Sequence, residues 1–240
     1  MENIEIIVVF DNYSYKKGLT TEWGFSCLVK TSDNDILFDT GSNGQILLDN
    51  MQKLNINPKD IDKIALSHKH WDHTGGLAKF LSVNHNVEVY CLRSFPDDIK
   101  RTVTNSGAKL VEVNVSQEIY PNILTTGSLG TYIKEQSLIV KIDKGFILIT
   151  GCAHPGILNI VAKAREIMKT EPLLVMGGFH LLGADNRELS LIADELQKMK
   201  AKYIAPSHCS GMECLTLFKQ VWSDRFIELG VGQRVVFPLK

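Results

Sequence analysis

The chain has 240 residues, 44% of them apolar and 22% charged, with a formal net charge of −1. This is the balance of a globular protein that buries a core without staples, and it excludes the charge field that gathers nucleic acid or an anionic membrane surface. No apolar run is long enough to cross a bilayer, and the acidic start Met1-Glu2-Asn3-Ile4-Glu5 lacks the basic head of a secretory leader. The five cysteines are scattered, without a Cys-x-x-Cys pair, and read as reduced thiols. We expect a cytoplasmic protein forming one domain over residues 1–240.

In chain order, Ile4 to Phe10 is a β-branched strand. Phe25 to Lys30 and Ile36 to Phe38 flank the polar Ser32-Asp33-Asn34-Asp35, which reads as a hairpin. Ser42 is expected to cap a helix carrying Ile46, Leu47, Met51 and Leu54 on one face. Lys63 to Leu66 is a short strand running into a histidine cluster. Val87 to Leu92 and Lys109 to Val113 are strands with a helix between them after Pro96. Leu138 to Ile142 and Phe146 to Thr150 form a hairpin through Asp143-Lys144-Gly145. Helices follow at Ile157 to Met168, Arg187 to Met199 and Glu213 to Val221. They alternate with strands at Leu173 to Met176 and Tyr203 to Ala205, and the final residues are extended.

Five polar clusters follow predicted strands: Asp39-Thr40-Gly41, His68 to His73, Gly151-Cys152-Ala153-His154, Gly177-Gly178-Phe179-His180 and Ser207-His208-Cys209. Ligands of layered α/β folds collect where loops leave strand ends, so these clusters are expected to converge.

Three of the seven histidines, His68, His70 and His73, share one turn with Asp72. In extended backbone, residues two apart point the same way, so His68 and His70 can grip one cation while Asp72 and His73 face a second. Two such metals sit about 3.5–4 Å apart and lower the pKa of a bridging water from about 16 to about 7. Asp72 can both bind metal and orient that water. Thr74-Gly75-Gly76 gives a tight backbone and opens a helix.

His208 and His154 each follow a strand and are candidate ligands. His154 also precedes a helix N-terminus, which favours anions. Cys152 reads two ways, as a thiolate ligand or as a small core residue. His180 is a ligand or the general acid for the leaving group. His85 has no such context and is expected at the surface. Asp39 stands in an Asp-Thr-Gly triplet that occurs once, so the paired carboxylates of an aspartic protease are missing. Asp39 is expected either to accept the N–H of a ligand imidazole or to serve as a turn residue.

Leu66-Ser67-His68-Lys69-His70-Trp71-Asp72-His73-Thr74-Gly75-Gly76-Leu77 resembles the His-x-His-x-Asp-His signature of the metallo-β-lactamase superfamily. Ile36 to Gly41 resembles the strand preceding it, and Ala205-Pro206-Ser207-His208 its last histidine motif. The resemblance implies a four-layer αββα sandwich with a dinuclear site, with zinc as the first candidate metal and manganese or iron as others. Gly24-Phe25-Ser26, Thr150 to Gly156, Gly177 to Leu181 and Ser207 to Gly211 resemble a narrower branch, which includes proteins named dihydropterin-aminobenzene-ribofuranosyl phosphate synthases. Two positions depart from the superfamily pattern. Cys152 stands where an aspartate is usual, and no histidine lies near Lys134-Glu135-Gln136; His154 is a candidate substitute.

The first expectation is a hydrolase acting on a phosphoester-type small molecule, with His68, His70 and His154 on one metal and Asp72, His73 and His208 on the other. The second is a transferase joining a dihydropterin pyrophosphate to an aminobenzene-type acceptor, with Trp71, Phe179 and Phe25 each read equally as a stacking ring or as core. A non-enzymatic metal or ligand sensor and an iron redox enzyme are further readings. No nucleic-acid or membrane partner is expected, and the sequence leaves oligomeric state open.

Overall fold

The β-branched and aromatic runs become strands, and the intervening amphipathic stretches become helices packed on them. The structure is a computed structural model that describes residues 3–31 and 35–238. Residues up to Asn114, joined by those from Gly230 onward, form one compact unit, and Val115–Leu229 form a second. Each unit is built on its own mixed sheet.

In the first unit, β1 (Asn3–Phe10), β2 (Ser26–Lys30) and β3 (Asp35–Phe38) run antiparallel in succession. The turn expected at Ser32 to Asp35 lies, up to Asn34, outside the described residues. Helix α1 (Gly44–Lys53) then carries the chain to β4 (Lys63–Ala65), parallel to β3. Its cap is Asn43, whose side chain accepts from the Gln45 and Ile46 amides, and not Ser42 as expected. Helices α2 (Trp71–Thr74) and α3 (Leu77–Val83) lead to β5 (Glu88–Leu92), and α4 (Asp97–Ser106) leads to β6 (Lys109–Val113). Strands β4, β5 and β6 are parallel neighbours. The last strand, Arg234–Pro238, closes the far edge by pairing antiparallel with β1. All four β3 residues are buried, as expected of a strand covered on both faces.

In the second unit, β7 (Val115–Tyr120), β8 (Ile123–Gly127), β9 (Leu138–Ile142) and β10 (Gly145–Thr150) form an antiparallel meander. Helix α5 (Ile157–Met168) crosses to β11 (Pro172–Gly178), and α6 (Asn186–Lys198) crosses to β12 (Tyr203–Ser207). Both strands are parallel to β10, and α7 (Met212–Trp222) follows. Their shared core joins Ile139, Phe146, Leu148, Ile160, Val161, Leu189, Phe218 and Trp222. The buried Trp222 indole donates to the Ala201 carbonyl at 3.0 Å, as a buried N–H must find an acceptor.

Parallel neighbours end on the same side of a sheet. The loops after β3 and β4 are therefore brought together in the first unit, and those after β10, β11 and β12 in the second. No helix among the described residues is long and apolar enough to cross a membrane.

Candidate metal site

In the first unit the site grows from Asp39, the residue after β3. Its carboxylate is fully buried and accepts three hydrogen bonds. Oδ1 accepts from the Ser67 backbone N–H at 2.7 Å; Oδ2 accepts from the Ser67 hydroxyl at 2.7 Å and pairs with His73 Nδ1 at 2.7 Å. The Ser67 hydroxyl has one proton, which goes to Asp39, so toward His68 Nδ1, 2.9 Å away, it is an acceptor. Both Nδ1 atoms are thus donors, and the Nε2 atoms of His68 and His73 are left as the candidate ligand nitrogens.

His68, His70 and His73 cluster as expected. His68 Nε2 and His70 Nδ1 are 3.1 Å apart, and the His68 ring lies 4.2 Å from that of His73 between centroids. Asp72 Oδ2 is 3.7 Å from His73 Nε2 and accepts from the Trp23 indole at 3.0 Å, which sets the carboxylate's orientation. The Asp39-Thr40-Gly41 loop grips this turn by backbone. Thr40 N donates to the His73 carbonyl at 2.8 Å, and Gly76 N donates to that of Gly41 at 3.1 Å. A Cβ at Gly76 would collide with the Thr40 carbonyl oxygen, so glycine is needed for this close approach.

In the second unit, Cys152 and His154 follow β10, His180 follows β11 and His208 follows β12. Cys152 and His208 are buried, His154 is half-buried and His180 is exposed. The His154 and His180 rings are tilted at 55° with centroids 4.3 Å apart. One ligand atom each of Cys152, His180 and Cys209 lies within 4.8 Å of the others. Burial pushes the Cys209 thiol up, but its hydrogen bonds with Cys152 and His180 and the nearby His208 outweigh burial and hold it well below the usual thiol range. The amide of His180 donates to Cys209 Sγ at 3.3 Å.

Sequence reasoning missed Glu135. This carboxylate, 1% exposed, accepts from the amides of Cys152 at 3.0 Å, Ala153 at 2.9 Å and His154 at 2.9 Å. It therefore fixes the loop that carries His154. The signal was an acidic residue just before the buried β9, yet its partners are backbone groups distant in sequence.

Asp39, Ala153, His180 and His208 all have φ between +51° and +61°, the left-handed region that non-glycine residues rarely adopt. Each such residue costs about 1–3 kcal/mol, which the surrounding bonds must hold, and such strain gathers at functional sites. Phe25 and Phe179 do not meet the stacking role weighed for them. They are 0% and 1% exposed and belong to the core, whereas Trp71 is exposed. His85 is at the surface, as expected.

The donor set fits divalent metal. In the first unit it is imidazole and carboxylate, with two imidazoles already turned Nε2-outward by groups that bind no metal themselves.

The family model of the metallo-β-lactamase superfamily matches residues 24–113. Over 99% of its length the chain is 29% identical to 98% of 7,8-dihydropterin-6-methyl-4-(β-D-ribofuranosyl)-aminobenzene-5′-phosphate synthase from Methanocaldococcus jannaschii. A crystal structure described as a metal-dependent hydrolase of the β-lactamase superfamily is 27% identical, with a TM-score of 0.81 over 97% of this chain and 98% of that one. The metallo-β-lactamase fold protein YhfI from Bacillus subtilis, 13% identical, shares the fold with a TM-score of 0.74 over 98% of this chain and all of its own. With two mixed sheets that match the metallo-β-lactamase fold of these neighbours, the chain carries a metallo-β-lactamase superfamily domain over residues 24–113.

Proposed function

We propose that the protein is a metal-dependent hydrolase of a phosphoester-type small molecule. His68, His70, Asp72 and His73, with His154 and His208, would supply the ligands of two divalent cations, and Cys152 is a further candidate. His68, His70 and His154 are assigned to one cation, and Asp72, His73 and His208 to the other. Zinc is the first candidate; manganese and iron are others. When bound, the pair supplies electrophilic activation of the phosphoryl group and a water reactive at neutral pH.

The protein's own groups do the rest. Asp72, steadied by Trp23, accepts a proton from the attacking water and orients it. Asp39 and Ser67 hold His68 and His73 in a single tautomer. His180, exposed beside His154, donates a proton to the departing oxygen. The observation carrying this reading is the hydrogen-bonded chain from Asp39 to two histidine Nδ1 atoms, an arrangement suited to fixing the tautomer of metal-ligating imidazoles.

The test measures metal by mass spectrometry and turnover of bis(p-nitrophenyl) phosphate on the purified protein. Stoichiometric metal and activity in wild type, both lost in His68→Ala, are expected. Retention of both by the variant refutes the reading.

A second reading is favoured by the near full-length similarity to the synthase. In it, the same site joins a dihydropterin pyrophosphate to an aminobenzene-type acceptor. Product analysis with dihydropterin pyrophosphate, with and without that acceptor, decides between them. A joined product that forms only when acceptor is present selects the transferase.

A further inference from the structure

Three successive parallel strands of the second unit each deliver one metal-binding side chain to the same place. Cys152 follows β10, His180 follows β11 and Cys209 follows β12. One ligand atom of each lies within 4.8 Å of the other two. Among the described residues, Cys27, Cys91 and Cys214 join no such group.

Local structure holds this arrangement together. The Cys209 thiol donates to the Cys152 carbonyl at 3.5 Å, and its sulfur accepts from the His180 amide at 3.3 Å. Cys209 thus links the other two loops. Gly178 leaves the sulfur its room, since a Cβ there would stand 2.8 Å from Cys209 Sγ. Cys152 and Cys209 are 3% and 4% exposed, whereas His180 is exposed, so an ion entering from solvent passes the imidazole first.

Two thiols and an imidazole differ in kind from the histidines and carboxylate of the first unit. Thiolate sulfur selects thiophilic cations such as zinc and copper(I) over hard ones. Tetrahedral bonds of about 2.3 Å to sulfur and about 2.0 Å to nitrogen set donor atoms about 3.5–3.8 Å apart, so small side-chain rotations seat one ion among these three. Two sulfurs and one nitrogen leave a fourth tetrahedral position, which water fills.

We propose that Cys152, His180 and Cys209 form a separate site for one thiophilic cation, of the zinc and copper(I) class, in addition to the cations assigned to the histidines. Each thiol releases its proton to solvent as the ion binds. The assignment moves Cys152 from the histidine cations, where it is a further candidate, to this site. An ion held here occupies the imidazole given the proton-donor role, so filling the site opposes hydrolysis. That consequence rests on the proposed function; the site itself does not.

The test titrates the reduced, full-length protein, carrying its own metals, with cadmium(II) and reads the ultraviolet charge-transfer band from thiolate to metal. Histidine and carboxylate ligands give no such band, so the readout is blind to the other cations and to turnover. A saturable band is expected in wild type. Cys152→Ser and Cys209→Ser each remove roughly half of it or more, because one of two thiolates is gone. His180→Asn, which tolerates the left-handed backbone at this exposed position, keeps both sulfurs. It weakens cadmium binding roughly tenfold or more in competition with a chelator. A band lost in Cys152→Ser but unchanged in Cys209→Ser puts Cys152 with the histidine cations and overturns the proposal. Absence of a band in wild type, or wild-type affinity in His180→Asn, also overturns it. The expected pattern in a protein without phosphodiesterase activity removes the hydrolase reading and keeps this site.

Discussion

Asp39 Oδ2 lies 2.7 Å from His73 Nδ1 with both side chains fully buried, and the same oxygen accepts the Ser67 hydroxyl proton. A single carboxylate thereby sets the ring orientation of two candidate ligands.

The substitution Asp39→Asn retains the shape, and asparagine tolerates the left-handed backbone found here. It removes one of the acceptor oxygens on which His73 and Ser67 depend. We predict a roughly 10- to 100-fold loss of metal affinity, typical of removing a partner behind a ligand. Competition with a chromophoric chelator measures it; unchanged affinity would show that Asp39 is only a turn residue.

Glu135→Gln replaces an oxygen that accepts backbone N–H groups with an amide that donates. A buried donor then faces donors, at a cost of about 1–3 kcal/mol. Urea unfolding at neutral pH should show that loss. Activity should fall further than stability explains, because the His154 loop loses its clamp.

Gly177 has φ +108°, and a Cβ there would collide with the Thr150 carbonyl oxygen on the neighbouring strand. We predict that Gly177→Ala destabilises the protein by more than about 1 kcal/mol, the reverse of the usual benefit of alanine. A thermal melt equal to or above wild type would contradict the stated backbone constraint.

Hydrogen bonds from Lys109, Lys63 and Tyr90 hold the Glu88 carboxyl down at about 2. A carboxyl depressed on folding contributes stability above its unfolded value, and that contribution fades as pH falls toward the folded one. Wild type should therefore lose stability relative to Glu88→Gln between the ordinary glutamate range, about 4.3, and about 2. Parallel pH-dependent curves for the two proteins would refute this.

Much of this architecture is legible in the sequence, because burial on both faces writes itself as unbroken apolar runs. Strand β10 is fully buried and stood out in this way. The β7–β8 hairpin did not. Ser116, Gln117 and Glu118 face outward or lie half-buried, so its pattern resembles a loop. Its turn was readable in principle, since Pro121 precedes Asn122 at φ +68°, the residues of a type II turn. The histidine turn was legible because its donors are close in sequence. Glu135 was not, because the amides it binds belong to a loop reached only through folding. Phe25 and Phe179 show the converse: aromatic character allows stacking or core equally, and burial decides for core.

A hydroxyl carries one hydrogen, so the relay from His68 through Ser67 to Asp39 can run in one direction only. The imidazoles of His68 and His73 consequently carry their proton on Nδ1, which leaves Nε2 as the nitrogen that could take a cation. No proton would need to migrate around either ring for its Nε2 to take a cation.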